Sequence, residues 1–213
     1  MEVRRYKWLD KILVEGDAGL RTVFAEQVAK RPTPAGDLEE PELSAEERRQ
    51  STGMMRVNHA GEVCAQALYR GQGVLARSPE VEAMLAHSSE EEIDHLAWTH
   101  QRLQELNSHR SYFNSFWYMN AVLIGLLASS IGDRWSLGFV EETEKQVTEH
   151  LEGHLGRLPK ADTKSRAIVE QMRDDEKQHS DMAGNAGASE LPLPVKQLMM
   201  LHAKVMTSLA FYF

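Results

Sequence analysis

The stretch EEEIDH at residues 90–95 sets Glu92 three residues before His95, and DDEKQH at 174–179 sets Glu176 three residues before His179. On an α-helix, positions i and i+3 share a face, so each pair can hold a metal ion with one carboxylate oxygen and one imidazole nitrogen. Spacing alone is weak evidence, because a chain with 32 acids and nine histidines offers about one such pair by chance. Placement adds more. Glu62 lies 30 residues before Glu92, and Glu144 lies 32 before Glu176. The chain thus repeats one order: a Glu, about thirty residues, then Glu-x-x-His. Two helical hairpins packed together would gather four Glu and two His around one point. Four carboxylates formally cancel two divalent cations, which makes burial tolerable. Oxygen-plus-imidazole ligation suits iron or manganese better than copper(I) or structural zinc. The expected partition has Glu92 and Glu176 bridging two ions, His95 and His179 binding one ion each, and Glu62 and Glu144 terminal. Glu141 and Glu142 compete with Glu144; spacing favours Glu144 and leaves Glu141, one turn earlier, open.

Neighbouring residues bear on the same chemistry. An acid precedes each pair, Glu91 before Glu92 and Asp175 before Glu176. Metal-bound histidines commonly donate their second N–H to a carboxylate, so Asp175 could orient a histidine of the opposite hairpin, and Glu91 or Asp94 could do likewise. The bland reading of Glu91 and Asp94 is a solvated acidic face. His59 and His150 flank the ligand turns and titrate near neutrality. His150 is a candidate for a proton or substrate role; the ordinary reading of both is a surface or capping histidine. Cys64 reads as a small packed residue, and Tyr69, two turns beyond Glu62, as core or pocket wall.

Helices must position these groups. Alternating β-branched runs are absent, and Ala, Leu, Glu, Gln and Met dominate, so the predicted class is all-α. Residues 8–24 carry Trp8, Ile12, Leu13, Leu20, Val23 and Phe24 as a short amphipathic segment. RPTPAGDLEEPEL (31–43) reads as a linker, giving an N-terminal arm over 1–43 and one domain over 44–213. Ser44 with Glu47 forms a capping box for a helix to about Arg77, weakened by Gly53, Gly61, Gly71 and Gly73. Ser78-Pro79 restarts a helix that runs to about Asn107. An apolar segment over 112–132 follows. Asp133 is expected to cap the next helix, Pro159 to break it, and Asp162 to cap another ending near Gly184. The last helix covers 195–213.

Composition narrows the class. A net charge of −8 argues against a nucleic-acid partner, which needs a basic face. The single cysteine, Cys64, excludes an intrachain disulfide and thiolate metal sites and fits a reducing setting. MEVRRYKWLDKILVEGD has no long apolar stretch and no cleavage site, so no secretory signal is expected. Ser111–Gly132 holds 22 residues without charge, long enough to span a bilayer. A crossing there would leave the two hairpins on opposite sides, so the segment is expected to be a crossover. It is either buried in the bundle or set in a membrane interface with Phe113, Phe116, Trp117, Tyr118 and Leu123 facing lipid. The apolar last helix could join it, or the two could form a homo-oligomer contact.

The blocks NHAGEVCAQALYRGQ (58–72), EEEIDHLAW (90–98), TEKQVTEHL (143–151) and RDDEKQHS (173–180) together resemble the bacterial demethoxyubiquinol hydroxylase family, the Coq7 or clock-1 family. The likeness runs from about Arg48 to the C-terminus. It implies a ferritin-like four-helix bundle with an apolar crossover helix and an extra C-terminal helix. It also implies two iron ions on Glu62, Glu92, His95, Glu144, Glu176 and His179, which selects Glu144 over Glu141. The implied reaction is hydroxylation of the ring of a polyprenylated methoxy-methyl-benzoquinol with O2, in ubiquinone biosynthesis. Without a nucleotide-binding unit in the chain, electrons must come from outside: a reductase, NADH or the quinol itself. The insoluble prenyl tail implies a peripheral place on the cytoplasmic side of the cell membrane, near other ubiquinone-biosynthesis proteins. The alternative is a ferritin-like iron-oxidising or storage protein.

Overall fold

The computed structural model describes residues 8–213. Among the described residues there are seven helices and no strand: α1 (Trp8–Phe24), α2 (Ala45–Leu75), α3 (Pro79–Glu105), α4 (Asn114–Ile131), α5 (Asp133–Arg157), α6 (Thr163–Asn185) and α7 (Leu193–Tyr212).

Local capping chemistry starts three of them. The Ser44 hydroxyl accepts from the Glu47 N–H at 3.3 Å while the Glu47 carboxylate accepts from the Ser44 N–H at 2.9 Å, and α2 then runs unbroken through its four glycines. Ser78 accepts from the N–H groups of Glu80 and Val81, with Pro79 opening α3. Asp162 accepts from the Ser165 N–H at 2.8 Å to start α6. Asp133 does something other than the expected capping. Gly132, at φ 139°, is the N-cap of α5. The Asp133 carboxylate instead accepts from the N–H groups of Arg77 and Ser78 at 3.0 and 2.8 Å, pinning the α2–α3 corner to the α4–α5 corner.

The bundle of α2, α3, α5 and α6 is layered along its length. One apolar layer takes Met55 from α2, Leu103 from α3, Leu151 from α5 and Met172 from α6. A second takes Tyr69, Leu85, Val140 and Ala183 from the same four helices. On every one of these helices the acids and histidines of interest lie in sequence between the two layers, so a buried polar layer is held between two apolar ones.

Helix α4 lies on α2 at close range. A Cβ on Gly125 would sit 2.5 Å from the Leu68 carbonyl oxygen, and one on Gly71 would sit 2.5 Å from that of Val122. The crossover is therefore two-faced. Of the five side chains that would face lipid if the segment lay in a membrane interface, Trp117 and Tyr118 are buried at 3% and 7% exposure. Trp117 packs with Val57, Met206 and Ala210, and Tyr118 packs with Val23 and Val63. Phe113, Phe116 and Leu123 are exposed. In α1, Val23 is buried while Leu13, Leu20 and Phe24 are exposed; the side chains of Trp8 and Ile12 lie outside the described residues. The irregular segment between α1 and α2 is not a free linker. It sends Ala35 and Leu43 into the core and Glu40 to the buried Arg102.

Candidate metal centre

Helix geometry explains how these side chains come to share one buried layer. Glu92 and His95, like Glu176 and His179, are one turn apart and buried; Glu62 and Glu144 project from α2 and α5 into the same layer and are also buried. His95 Nδ1 stands 2.9 Å from Glu92 Oε2, 3.1 Å from Glu176 Oε1 and 3.6 Å from Glu62 Oε2. His179 Nδ1 stands 3.0 Å from Glu176 Oε2 and 3.3 Å from Glu92 Oε1. Each of the two central carboxylates thus gives one oxygen to each imidazole. Ligand atoms of Glu62, Glu92, His95 and Glu176 all lie within 4.8 Å of one another. Glu144, on the His179 side, accepts a 2.5 Å hydrogen bond on Oε1 from the Tyr69 hydroxyl, so Tyr69 is both core residue and pocket wall. Glu141 is engaged with Lys145 at 2.6 Å.

The second nitrogen of each histidine points away from the centre, onto an acid of the opposite hairpin. His95 Nε2 meets Asp175 Oδ2 and His179 Nε2 meets Glu91 Oε2, each at 2.9 Å. A carboxylate at Nε2 keeps a proton there, so Nδ1 is the nitrogen that faces inward and would give its lone pair to an ion when the ion displaces its proton. Asp94 has a different partner: it accepts from Arg31 Nε at 2.7 Å and does not form a bare solvated face. Nothing in the sequence pointed to Arg31. Gln171, which donates to Asp175 Oδ1 at 2.9 Å, carried a signal, since it lies four residues before Asp175 on one helix.

The electrostatics are those of a site that gathers positive charge. Burial, reinforced by Glu92 and Glu176, pushes the Glu62 carboxyl well above the usual carboxylate range. Burial with Glu176 and Glu92 does the same to Glu144. Burial alone would raise Glu92, but His95 and His179 outweigh it and hold its carboxyl well below the usual range. Burial also opposes charge on the histidines, yet the surrounding carboxylates push His95 well up and His179 up to about 12. Glu92 Oε1 and Glu176 Oε1 are fully buried and make no well-formed hydrogen bond; each meets only an imidazole nitrogen, at 3.3 and 3.1 Å. Buried carboxylate oxygens satisfied this thinly are costly, and a bound cation would satisfy them. The buried Glu and His donor set therefore fits a metal of the oxygen- and imidazole-preferring kind.

The remaining candidates sit apart from this constellation. His59 is buried, where a surface histidine was the ordinary expectation; burial, with Arg110 and His100 nearby, lowers its pKa to about 3. His150 packs its ring 4.1 Å from that of His154, leaves Nε2 unpaired and is lowered by burial to about 4. Cys64 packs beside Val63 and Ala67, and burial pushes its thiol up to about 12.

Sequence comparison places this arrangement in context. Residues 49–210 match the family described as "Ubiquinone biosynthesis protein COQ7". The chain is 54% identical over 209 residues to a 3-demethoxyubiquinol 3-hydroxylase of Coxiella burnetii, covering 98% of this chain and 97% of that protein. It is 53% identical over 204 residues to the protein of that name in Polynucleobacter asymbioticus, covering 95% and 98%. It is 54% identical over 202 residues to the one in Variovorax paradoxus, covering 95% and 97%.

Proposed function

The chain belongs to the COQ7 family of ubiquinone biosynthesis proteins, and from that premise we propose that it is a 3-demethoxyubiquinol 3-hydroxylase. In this reading it is a di-iron monooxygenase acting on the ring of a polyprenylated methoxy-methyl-benzoquinol. The observation that carries the reading is the pair of central carboxylates, Glu92 and Glu176, each presenting one oxygen to each inward-facing imidazole nitrogen. Glu62 and His95 would complete one metal position, Glu144 and His179 the other. Bound iron supplies the redox chemistry by which O2 is activated.

The protein's own groups do the rest. Asp175 and Glu91 hold the imidazole tautomers. Tyr69 keeps its proton, because burial beside Glu144 pushes the phenol well above its ordinary range, and so it steadies the Glu144 carboxylate as a donor. The apolar layers on either side of the site limit water, which strengthens every electrostatic contact within it. The reaction balances with one oxygen atom entering the ring and the other leaving as water, at the expense of two electrons and two protons. Those electrons come from outside the chain: a reductase, NADH or the quinol itself.

A prenylated substrate must be met at a membrane. Among the described residues no helix is long and apolar enough to cross one. Exposed apolar side chains on three neighbouring helices support peripheral contact instead: Leu13, Leu20 and Phe24 on α1, Phe116, Leu123 and Leu127 on α4, and several more on α7.

The test is anaerobic reduction of the iron-loaded protein, then exposure to isotopically labelled O2 with a short-chain demethoxyquinol. Product carrying one labelled oxygen is expected. Oxidation of iron with no oxygen delivered to the ring would overturn the hydroxylase in favour of the storage alternative.

A further inference from the structure

The two halves of the site repeat each other's ligands but not each other's supports. Asp175, which orients His95, has a side chain only 8% exposed and takes two further donors. Gln171 Nε2 binds Oδ1 at 2.9 Å and Arg31 Nη2 binds Oδ2 at 2.8 Å. Glu91, which orients His179, is 33% exposed, and its further partner among the described residues is the exposed His87 at 3.6 Å. One imidazole thus leans on a buried acid held by two further donors, and the other on a partly exposed acid with a single distant one.

Arg31 is itself held on several sides. Its Nε donates to Asp94 Oδ2 at 2.7 Å, and its guanidinium lies 4.8 Å over the Trp98 ring. Its backbone carbonyl accepts from Trp98 Nε1 at 3.4 Å, and the preceding Lys30 N–H donates to Asp94 Oδ1 at 2.6 Å. The Trp98 ring in turn lies 5.5 Å from that of His95. Arg31 comes from the segment between α1 and α2, outside the four ligand-bearing helices. A planar guanidinium can bind two carboxylates at once with fixed geometry, which an ammonium cannot.

We propose that Arg31 is a positioning residue that clamps Asp175 against His95 and makes the metal position at Glu62 and His95 the tighter of the two. The position at Glu144 and His179, resting on the looser Glu91, fills second and empties first. This rests on the di-metal reading above. Its physical basis is pre-organisation: a ligand already fixed in plane and tautomer gives up less freedom when the ion arrives.

Anaerobic titration of the metal-free full-length chain with cobalt(II), followed in the visible spectrum, reads both positions. Two phases are expected in the unaltered protein. Arg31→Gln should weaken the first by about 10-fold or more, the range in which loss of an outer carboxylate partner falls, and leave the second in place. Glu91→Gln should weaken the second alone. Lys30→Gln, which removes only the exposed pair with Glu90, should change neither. The unfolding midpoint of each metal-free variant is measured alongside, since a purely structural role for Arg31 would lower it without moving either cobalt affinity. If Arg31→Gln does not fold, Arg31→Lys carries the same test, because it keeps the charge but cannot serve both carboxylates. The proposal is overturned if the Arg31 variant titrates like the unaltered protein, if it weakens both phases equally, or if the unaltered protein binds two ions with one affinity. An unaltered chain that binds no cobalt would instead remove the di-metal reading itself.

Discussion

Glu92 faces both imidazoles, so replacing it with the same-sized, neutral Gln removes an acceptor that each metal position shares. Loss of an outer partner costs about 10–100-fold in metal affinity; Glu92→Gln should cost more than that, read as iron per chain after anaerobic loading, and abolish ring hydroxylation. Retention of two irons would rule out bridging by this residue. A different residue-scale effect belongs to His154, 2% exposed and lowered by burial, with His150 and Arg157 adding, to about 2. Its folded pKa lies below the unfolded value near 6.5, so the unfolded chain binds the extra proton and stability falls as pH drops below about 6.5. The contribution approaches about 1.4 kcal/mol per pH unit. Denaturant melts between pH 6.5 and 5 of the metal-free His150→Gln protein with and without His154→Gln read it, because the neighbouring His150, whose ring lies 4.1 Å away and would titrate differently in the two, is then absent from both. The gap between the two should shift in favour of the variant by about that amount per unit as pH falls, and a constant gap would show that His154 is protonated in the fold.

At the scale of elements, the glycines of α2 illustrate what sequence can and cannot carry. Read alone, Gly71 is a weak spot in a helix. Only when α4 is laid beside it does the glycine acquire a purpose, because its partner, Gly125, lies over fifty residues away and the fit involves backbone on both sides. Gly125→Ala would force the helices apart, at a cost of about 1–3 kcal/mol typical of overpacking. The expected readout is a lowered unfolding midpoint with iron loading retained, since α4 carries none of the six ligands. Capping chemistry was legible for the opposite reason: Ser44 with Glu47, Ser78-Pro79 and Asp162 act on residues within one turn. Asp133 has the same residue type, but its partners lie across the corner at Arg77 and Ser78, out of reach of any local pattern. The Glu-x-x-His spacing was likewise local, and the repeat of it showed which helices must meet. Arg31 escaped because its role needs Asp94 from α3 and Asp175 from α6 at once.

For the molecule as a whole, an uncharged 22-residue run told that α4 is apolar but not which of its sides faces the bundle. The four ligand helices leave one flank for α4, which closes on α2 and shares that flank with α1 and α7. Phe113 meets Phe213 at 6.3 Å between ring centroids, and Tyr118 packs against Val23 of α1. The side of α4 turned away keeps Phe116, Met119, Leu123, Leu127 and Ile131 at 55–68% exposure. Exposed apolar side chains gathered on one side of a helix mark an interaction surface, and their aromatic and leucine content suits the headgroup boundary of a bilayer. The two faces of α4 should therefore separate under mutation. Phe116→Ser with Leu123→Ser and Leu127→Ser should reduce co-flotation with anionic phospholipid vesicles while iron content and the unfolding midpoint stay near those of the unaltered protein. Trp117→Ser, on the buried side, should lower the midpoint by several degrees through lost packing, about 3–5 kcal/mol for a core tryptophan, and leave the flotation of whatever remains folded unchanged. If the exposed-face variant floats normally but has changed from dimer to monomer by sedimentation, the surface is a contact between copies of the chain and not a membrane face.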